Sequence, residues 1–229
     1  EKIKEKITPR TKAILINSPS NPTGNLIDRG RLEEICRLGP LVVSDEIYHG
    51  LVYEGQAVSA REVCDETVVV NGFSKLFAMT GWRLGYAIAP PALIRPLQKM
   101  QQNFFISANA AVQRAAIVAL RAADDEVAEM VARYDERRRY MIRRLRDLGF
   151  GLTVEPTGAF YVFCNARHLS GDSHRLAFDM LEKAHVGVAP GIDFGAHGEG
   201  YLRFSYANSM DNIVRGLDRV ERYLADLES

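Results

Sequence analysis

AILINSPSNPTGNLIDRGRLEEICRLGPLVV, residues 13–43, decides the architecture. Two short apolar runs, Ala13 to Ile16 and Leu41 to Val43, enclose a segment from Asp28 to Leu38. In that segment Leu32, Ile35 and Cys36 recur at helical spacing. Asp28 is placed to cap the helix start, and Gly39-Pro40 stops it. Strand, helix, strand is a βαβ unit, which implies parallel strands and a right-handed crossover. Two further runs follow, Val68 to Val70 and Leu84 to Ala89. None of the four alternates with polar residues, as expected of strands covered on both faces. The first part of the chain therefore reads as α/β with a mainly parallel sheet.

A helical region is expected from about Pro91 to Leu148. Pro91 suits a first turn, and Ser107 is placed to cap the alanine-rich stretch Ala108 to Ala123. Asp124 to Leu148 begins with Asp124, Asp125 and Glu126 and ends with Arg143, Arg144 and Arg146, an order that complements the helix dipole. Its run Arg137-Arg138-Arg139 reads as a solvated face rather than an RNA contact. Beyond Gly149, short strands are expected at Leu152 to Val154, Phe160 to Phe163, Val186 to Val188 and Tyr201 to Tyr206. Helices are expected at Ser173 to Ala184 and along Ile213, Leu217, Val220, Leu224 and Leu227. That makes a small α+β domain. The expected domains are 1–123 and 124–229, linked by the helix that starts near Asp124.

Composition narrows the function. The 29 basic residues balance 29 acidic ones, which disfavours nucleic acid or an anionic membrane as the main partner. No apolar stretch approaches the ~20 residues of a membrane helix, and no secretory signal opens the chain. Cys36, Cys64 and Cys164 are odd in number and widely spaced, which fits a reducing compartment, so a cytoplasmic location is expected. The histidines lack metal-ligand spacing, and no metal is expected.

In open parallel sheets, ligands bind beyond the carboxyl ends of the strands. Three segments occupy those positions here: Asn17-Ser18-Pro19-Ser20-Asn21-Pro22-Thr23-Gly24, then Ser44-Asp45-Glu46-Ile47-Tyr48, then Gly72-Phe73-Ser74-Lys75. A lysine at the end of a buried strand sits on a rigid base. Burial disfavours its charged form, and a neutral amine forms Schiff bases with carbonyls. Arg83, eight residues on, is a planar fork suited to phosphate. A phosphorylated aldehyde fits both, and pyridoxal 5'-phosphate is the obvious one. Asp45 then suits the pyridine nitrogen, keeping the ring protonated as an electron sink. Tyr48 and Asn21 suit the ring 3-oxygen. Ser74 is a helper to Arg83 on the phosphate. Lys75 forms the resting aldimine and, once displaced by substrate, acts as general base. Each residue also has a plain reading. Asn21-Pro22-Thr23-Gly24 makes a turn anywhere, Asp45-Glu46 can cap a helix, and Tyr48 can be a core aromatic. Their order on successive strands is what favours the shared site.

These motifs resemble those of the class I/II aminotransferases, pyridoxal-phosphate enzymes of fold type I. Later segments fit too: Pro156-Thr157-Gly158-Ala159-Phe160-Tyr161, Pro190-Gly191-Ile192-Asp193-Phe194-Gly195 and Tyr201-Leu202-Arg203-Phe204-Ser205. The resemblance implies transfer of an α-amino group from an amino acid to a 2-oxo acid. It also implies that Arg203 and Asn21 bind the substrate α-carboxylate, Arg203 through paired hydrogen bonds. A homodimer is implied as well. Gly72 departs from the pattern, since some relatives carry a phosphate-binding serine there. Nothing in the chain matches the first half of the family's large domain, and Glu1 reads as an internal start. A sheet lacking strands exposes its edges, so the chain alone is expected to bind cofactor weakly.

Three alternatives stay open on sequence. A carbon–sulfur β-lyase shares Lys75, Asp45 and Arg203. An aminotransferase-like sensing module of a regulator requires a DNA-binding domain elsewhere. A serine hydrolase built on Ser74, Asp193 and His197 conflicts with Leu76, which replaces the closing glycine of a nucleophile elbow.

Overall fold

The structure, a computed structural model, describes residues 1–228. The chain folds as two compact units, one of residues 1–19 and 26–129, the other of residues 20–25 and 130 onward.

The first unit contains α1 (Lys2–Lys6), β1 (Ala13–Asn17), α2 (Arg29–Cys36), β2 (Leu41–Asp45), β3 (Thr67–Gly72), β4 (Gly85–Ile88), α3 (Pro91–Phe104) and α4 (Ala110–Ala122). The sheet order is β1-β2-β3-β4. β1 pairs with β2 and β2 with β3 in parallel, and β4 returns antiparallel to β3. Asp28 caps α2 as expected, its carboxylate accepting from Arg31 N at 2.9 Å. Ile14, Ile16, Leu32, Val42, Ala60 and Val69 form the core between α2 and the sheet, with Ile35, Cys36, Val58 and Val63 packed on it.

Two expectations change here. The apolar runs suggest strands covered on both faces, yet Leu15 on β1 is 74% exposed, and Val70 on β3 and Tyr86 and Ile88 on β4 are exposed as well. Apolar composition shows that a face can be buried; what covers it is a separate matter. The α4 cap is Asn109, not Ser107, and its side chain accepts from Ala111 N at 2.9 Å and Val112 N at 3.3 Å. Ser107 lies too far from the first unpaired N–H groups, which are the ones a cap must satisfy.

The helix α5 (Asp124–Asp147) contains the division between the units. The second unit adds β5 (Tyr161–Asn165), α6 (Ser173–Ala184), β6 (Ala189–Pro190), β7 (Tyr201–Ser205) and α7 (Met210–Glu228). Its sheet is antiparallel in the order β5-β7-β6. Val162, Cys164, Leu202, Leu176, Met180, Ile213, Leu217 and Val220 fill the core. No ladder forms over Leu152 to Val154; Gly151 alone bridges Asn165. Near Val186 to Val188 the pairing begins later, at Ala189, because His185 turns the chain at φ 57°. β propensity yields a strand only where a neighbour supplies partners.

The arginine run on α5 is not a uniform solvated face. Arg139 is exposed, but Arg138 is only 2% exposed. Its Nε and Nη2 donate to Asp135 Oδ1 at 2.8 and 2.7 Å, and its Nη1 donates to the Pro156 carbonyl at 2.8 Å. A guanidinium buried this deeply needs its donors matched, and these bonds match them. Among the described residues no helix is long and apolar enough to cross a membrane.

Candidate active site

The first unit gathers the candidate cofactor residues at one end of its sheet. Asp45 closes β2 and is in register with Asn17 and Val70. Its carbonyl accepts from the Asn17 side chain at 3.0 Å, and its carboxylate Oδ1 accepts from Ile47 N at 3.1 Å. Both ends of the residue are thus fixed. Tyr48 follows in a turn and is 3% exposed. Ser74 and Lys75 stand half-buried in the turn just past β3. Gly72 pairs with Gly85, and Phe73 N donates to the Leu84 carbonyl at 3.3 Å. Arg83 takes a left-handed backbone, φ 55° and ψ 48°, and its Nη1 donates to the Thr80 carbonyl at 2.9 Å. A non-glycine residue held there costs roughly 1–3 kcal/mol and persists where its surroundings fix it. Observed strain of this kind clusters at ligand clamps.

Glu46 is a supporting residue the sequence did not single out. It is 3% exposed, and its Oε1 accepts from Ala60 N at 2.8 Å and from Ser59 Oγ at 3.1 Å. Its Oε2 lies 3.3 Å from His49 Nδ1. Burial pushes the His49 imidazole below its usual range, against the pull of Glu46. The segment carrying Asp45 and Tyr48 is therefore pinned to the Ser59 turn. The plain reading of Asp45-Glu46 as a helix cap fails, because an irregular turn follows.

The second unit holds Asn21 and Arg203 together. Arg203 Nη1 donates to Asn21 Oδ1 at 2.6 Å. The guanidinium lies over the rings of Tyr161 and Phe194, 4.2 and 4.8 Å from their centroids. Among the described residues, its buried Nε has no hydrogen-bond partner. Arg203 sits in the central strand β7 opposite Phe163, so Tyr161, two residues along β5, is its diagonal neighbour on the same face. Only the strand pairing reveals that platform. Tyr161 lies far from Arg203 in sequence, Phe194 belongs to a separate short turn, and no local spacing marks either. Asp193 and His197, named for the hydrolase alternative, are exposed in short turns.

Gly24 fixes the Asn21 loop. Its φ is 70°, and an added Cβ would lie 2.5 Å from Pro156 Cβ and 2.8 Å from the Gly158 carbonyl oxygen. Its carbonyl accepts from Thr157 N at 3.0 Å and Gly158 N at 2.8 Å. Gly24→Ala is expected to cost about 2 kcal/mol, from the left-handed backbone together with the overlap. Equilibrium denaturation of the full-length protein checks this, and an unchanged midpoint refutes it. Among the described residues no group of three or more His, Cys, Asp or Glu side chains could hold a metal ion.

Residues 1–220 match the family model described as aminotransferase class I and II. Over 228 residues the chain is 44% identical to the (5-formylfuran-3-yl)methyl phosphate transaminase of Methanocaldococcus jannaschii, covering 98% of this chain and 60% of that protein. It is 39% identical to the aspartate aminotransferase of Pyrococcus abyssi, covering 99% and 60%. The crystal structure of an aromatic aminotransferase from Pyrococcus horikoshii superposes with a TM-score of 0.94 at 38% identity, covering 99% of this chain and 63% of that one. The Thermus thermophilus aspartate aminotransferase with maleate gives 0.91 at 39% identity, covering 96% and 59%. The chain thus spans about 60% of the length of the curated relatives it matches.

Proposed function

The chain belongs to the class I and II aminotransferases, and we propose that the protein containing it moves the α-amino group of an amino acid to a 2-oxo acid with pyridoxal 5'-phosphate. The fold is the α/β fold type I of that family, with a mainly parallel sheet followed by a small α+β part. In this reading residues 1–123 are the C-terminal part of the large cofactor domain and 124–229 the small domain. The protein works as a cytoplasmic homodimer. The family resemblance supports the dimer, and the three widely spaced cysteines support the compartment.

One observation carries the cofactor assignment. A fixed carboxylate, Asp45, closes β2 and an amine, Lys75, follows the adjacent parallel strand β3, with a strained arginine, Arg83, just before the antiparallel strand β4. That donor set fits a phosphorylated pyridine aldehyde: an acid for the ring nitrogen, an amine for the aldehyde, a guanidinium and a hydroxyl for the phosphate. When bound, pyridoxal phosphate supplies the electron sink for the substrate α-carbon. Asp45, its backbone held by Asn17, keeps a proton on the ring nitrogen. Tyr48 donates to the ring 3-oxygen. Arg83 holds the phosphate with Ser74 beside it. Lys75 anchors the cofactor and, when released, carries the proton taken from the α-carbon. Arg203 takes the substrate carboxylate, and its stacking on Tyr161 and Phe194 presents the N–H edge while reducing the side-chain entropy lost on binding. Asn21 Oδ1 already accepts from Arg203, so its amide nitrogen is the end that donates, to the ring oxygen or the carboxylate.

Borohydride reduction of the cofactor-loaded full-length protein, followed by peptide mapping, is expected to place a pyridoxyl group on Lys75. A tag on another lysine overturns the assignment. Product analysis separates the chemistry. A 2-oxo acid with an aminated acceptor is expected, whereas pyruvate with ammonia and a thiol would mean elimination.

A further inference from the structure

Residues 46–51 carry Tyr48 and are held at several points. Glu46 N donates to the Val70 carbonyl at 2.9 Å, which ties the start of the segment to β3. His49 N donates to the Glu46 carbonyl at 2.9 Å and Leu51 N to the Tyr48 carbonyl at 3.0 Å, so the chain turns closely around Tyr48. Leu51, at the far end, is fully buried. The segment also runs beside the one that carries Lys75. A Cβ added to Gly72 would lie 3.4 Å from Ile47 Cδ1, and one added to Gly50 would lie 2.6 Å from Leu76 Cδ1. Ile47 and Gly50, on either side of Tyr48, therefore approach Gly72 and Leu76, on either side of Lys75.

One side-chain pair closes this turn. His49 Nδ1 lies 3.3 Å from Glu46 Oε2, while Glu46 Oε1 already accepts from Ala60 N and Ser59 Oγ. The glutamate side chain is 4% exposed and the histidine 17%, so water competes little for the pair. Among the described residues the other ring nitrogen, Nε2, is buried and has no hydrogen-bond partner. Nδ1 is thus the nitrogen through which the ring pairs. The pair spans the peptide groups of Ile47 and Tyr48 and joins them to the Ser59 turn.

We propose that His49 is a positioning residue: paired with Glu46, it fixes the turn that sets the Tyr48 hydroxyl against the 3-oxygen of the cofactor ring. The inference rests on the cofactor reading above and gives His49 no contact with substrate or cofactor. A hydrogen bond from Tyr48 favours the ionised 3-oxygen, so it lowers the pH at which the bound cofactor loses its proton and its absorption changes. A looser turn weakens that bond and lets this pH rise.

The test reads absorption against pH in the full-length protein loaded with pyridoxal 5'-phosphate. Asparagine carries its amide N–H where Nδ1 stands, and glutamine carries its amide further out, near the place of Nε2. His49→Asn should therefore titrate with the wild type, whereas His49→Gln should titrate higher by about half a pH unit or more. Because His49 acts through Tyr48, His49→Gln should add no shift in a Tyr48→Phe background. A wild-type midpoint in His49→Gln overturns the proposal, and so does an equal shift with and without the Tyr48 hydroxyl. A shift in His49→Asn as large as that in His49→Gln, or unfolding of both variants seen by circular dichroism, also overturns it. A wild type that takes up no pyridoxal phosphate, or that carries it on a lysine other than Lys75, overturns the cofactor reading itself and the inference with it.

Discussion

Lys75→Ala in the full-length protein is expected to lower the rate of amino-group transfer by about 10⁴-fold or more while the protein stays folded. General acid–base catalysis by a positioned side chain contributes roughly 10²–10⁴-fold, and the covalent anchoring role is lost with it. The position supports a clean loss. Lys75 lies in a half-buried turn outside the β3 ladder, and its carbonyl accepts from Ala78 N at 3.2 Å, a bond the substitution leaves alone. The cofactor's other proposed contacts, Asp45, Tyr48, Ser74 and Arg83, are also untouched. The variant should therefore still take up pyridoxal phosphate, seen by absorbance and equilibrium dialysis, yet fail to turn over. Turnover within tenfold of wild type would end the proposed mechanism. A variant that both unfolds and fails to bind would show instead that Lys75 is structural.

Much of this was legible in the chain itself, and the failures share a cause. The βαβ unit, the Asp28 cap, the span Ser173–Ala184 and the polar segments at strand ends rest on neighbours close in sequence, where periodicity and capping rules apply. The misses depend on what lies across space. Nothing local tells that Leu15 is left uncovered, or that Leu152 to Val154 finds no ladder. Tyr161 and Phe194 reach Arg203 only through strand pairing and a returning turn. Glu46 stands next to Asp45 and reads as a cap, because its partners Ser59 and Ala60 are brought up by the fold.

Arg138 is the sharpest of these reversals, and it sets the largest expected change in stability. Arg138 and Arg139 share one carboxylate: Asp135 Oδ1 lies 2.7 Å from Arg138 Nη2, and Oδ2 lies 2.7 Å from Arg139 Nη2. Pair geometry is therefore alike, and burial differs, with side-chain exposures of 2% and 63%. Arg139→Ala is expected to cost at most about 1 kcal/mol, since water replaces the lost partner. Arg138→Ala is expected to cost about 3–5 kcal/mol, because it strips a buried partner from Asp135 and leaves the Pro156 carbonyl without its donor. Equilibrium denaturation at fixed protein concentration measures both. Arg138 also bears on the site, because Pro156 begins the segment whose Thr157 and Gly158 N–H groups hold Gly24, and Gly24 closes the loop that presents Asn21 to Arg203. Loosening that chain should raise KM for the amino acid more than it lowers kcat, since Lys75 is untouched. Equal costs for the two arginine variants would show that burial does not set the energetics of this pair. An unchanged KM in Arg138→Ala would break the link from α5 to the proposed carboxylate site.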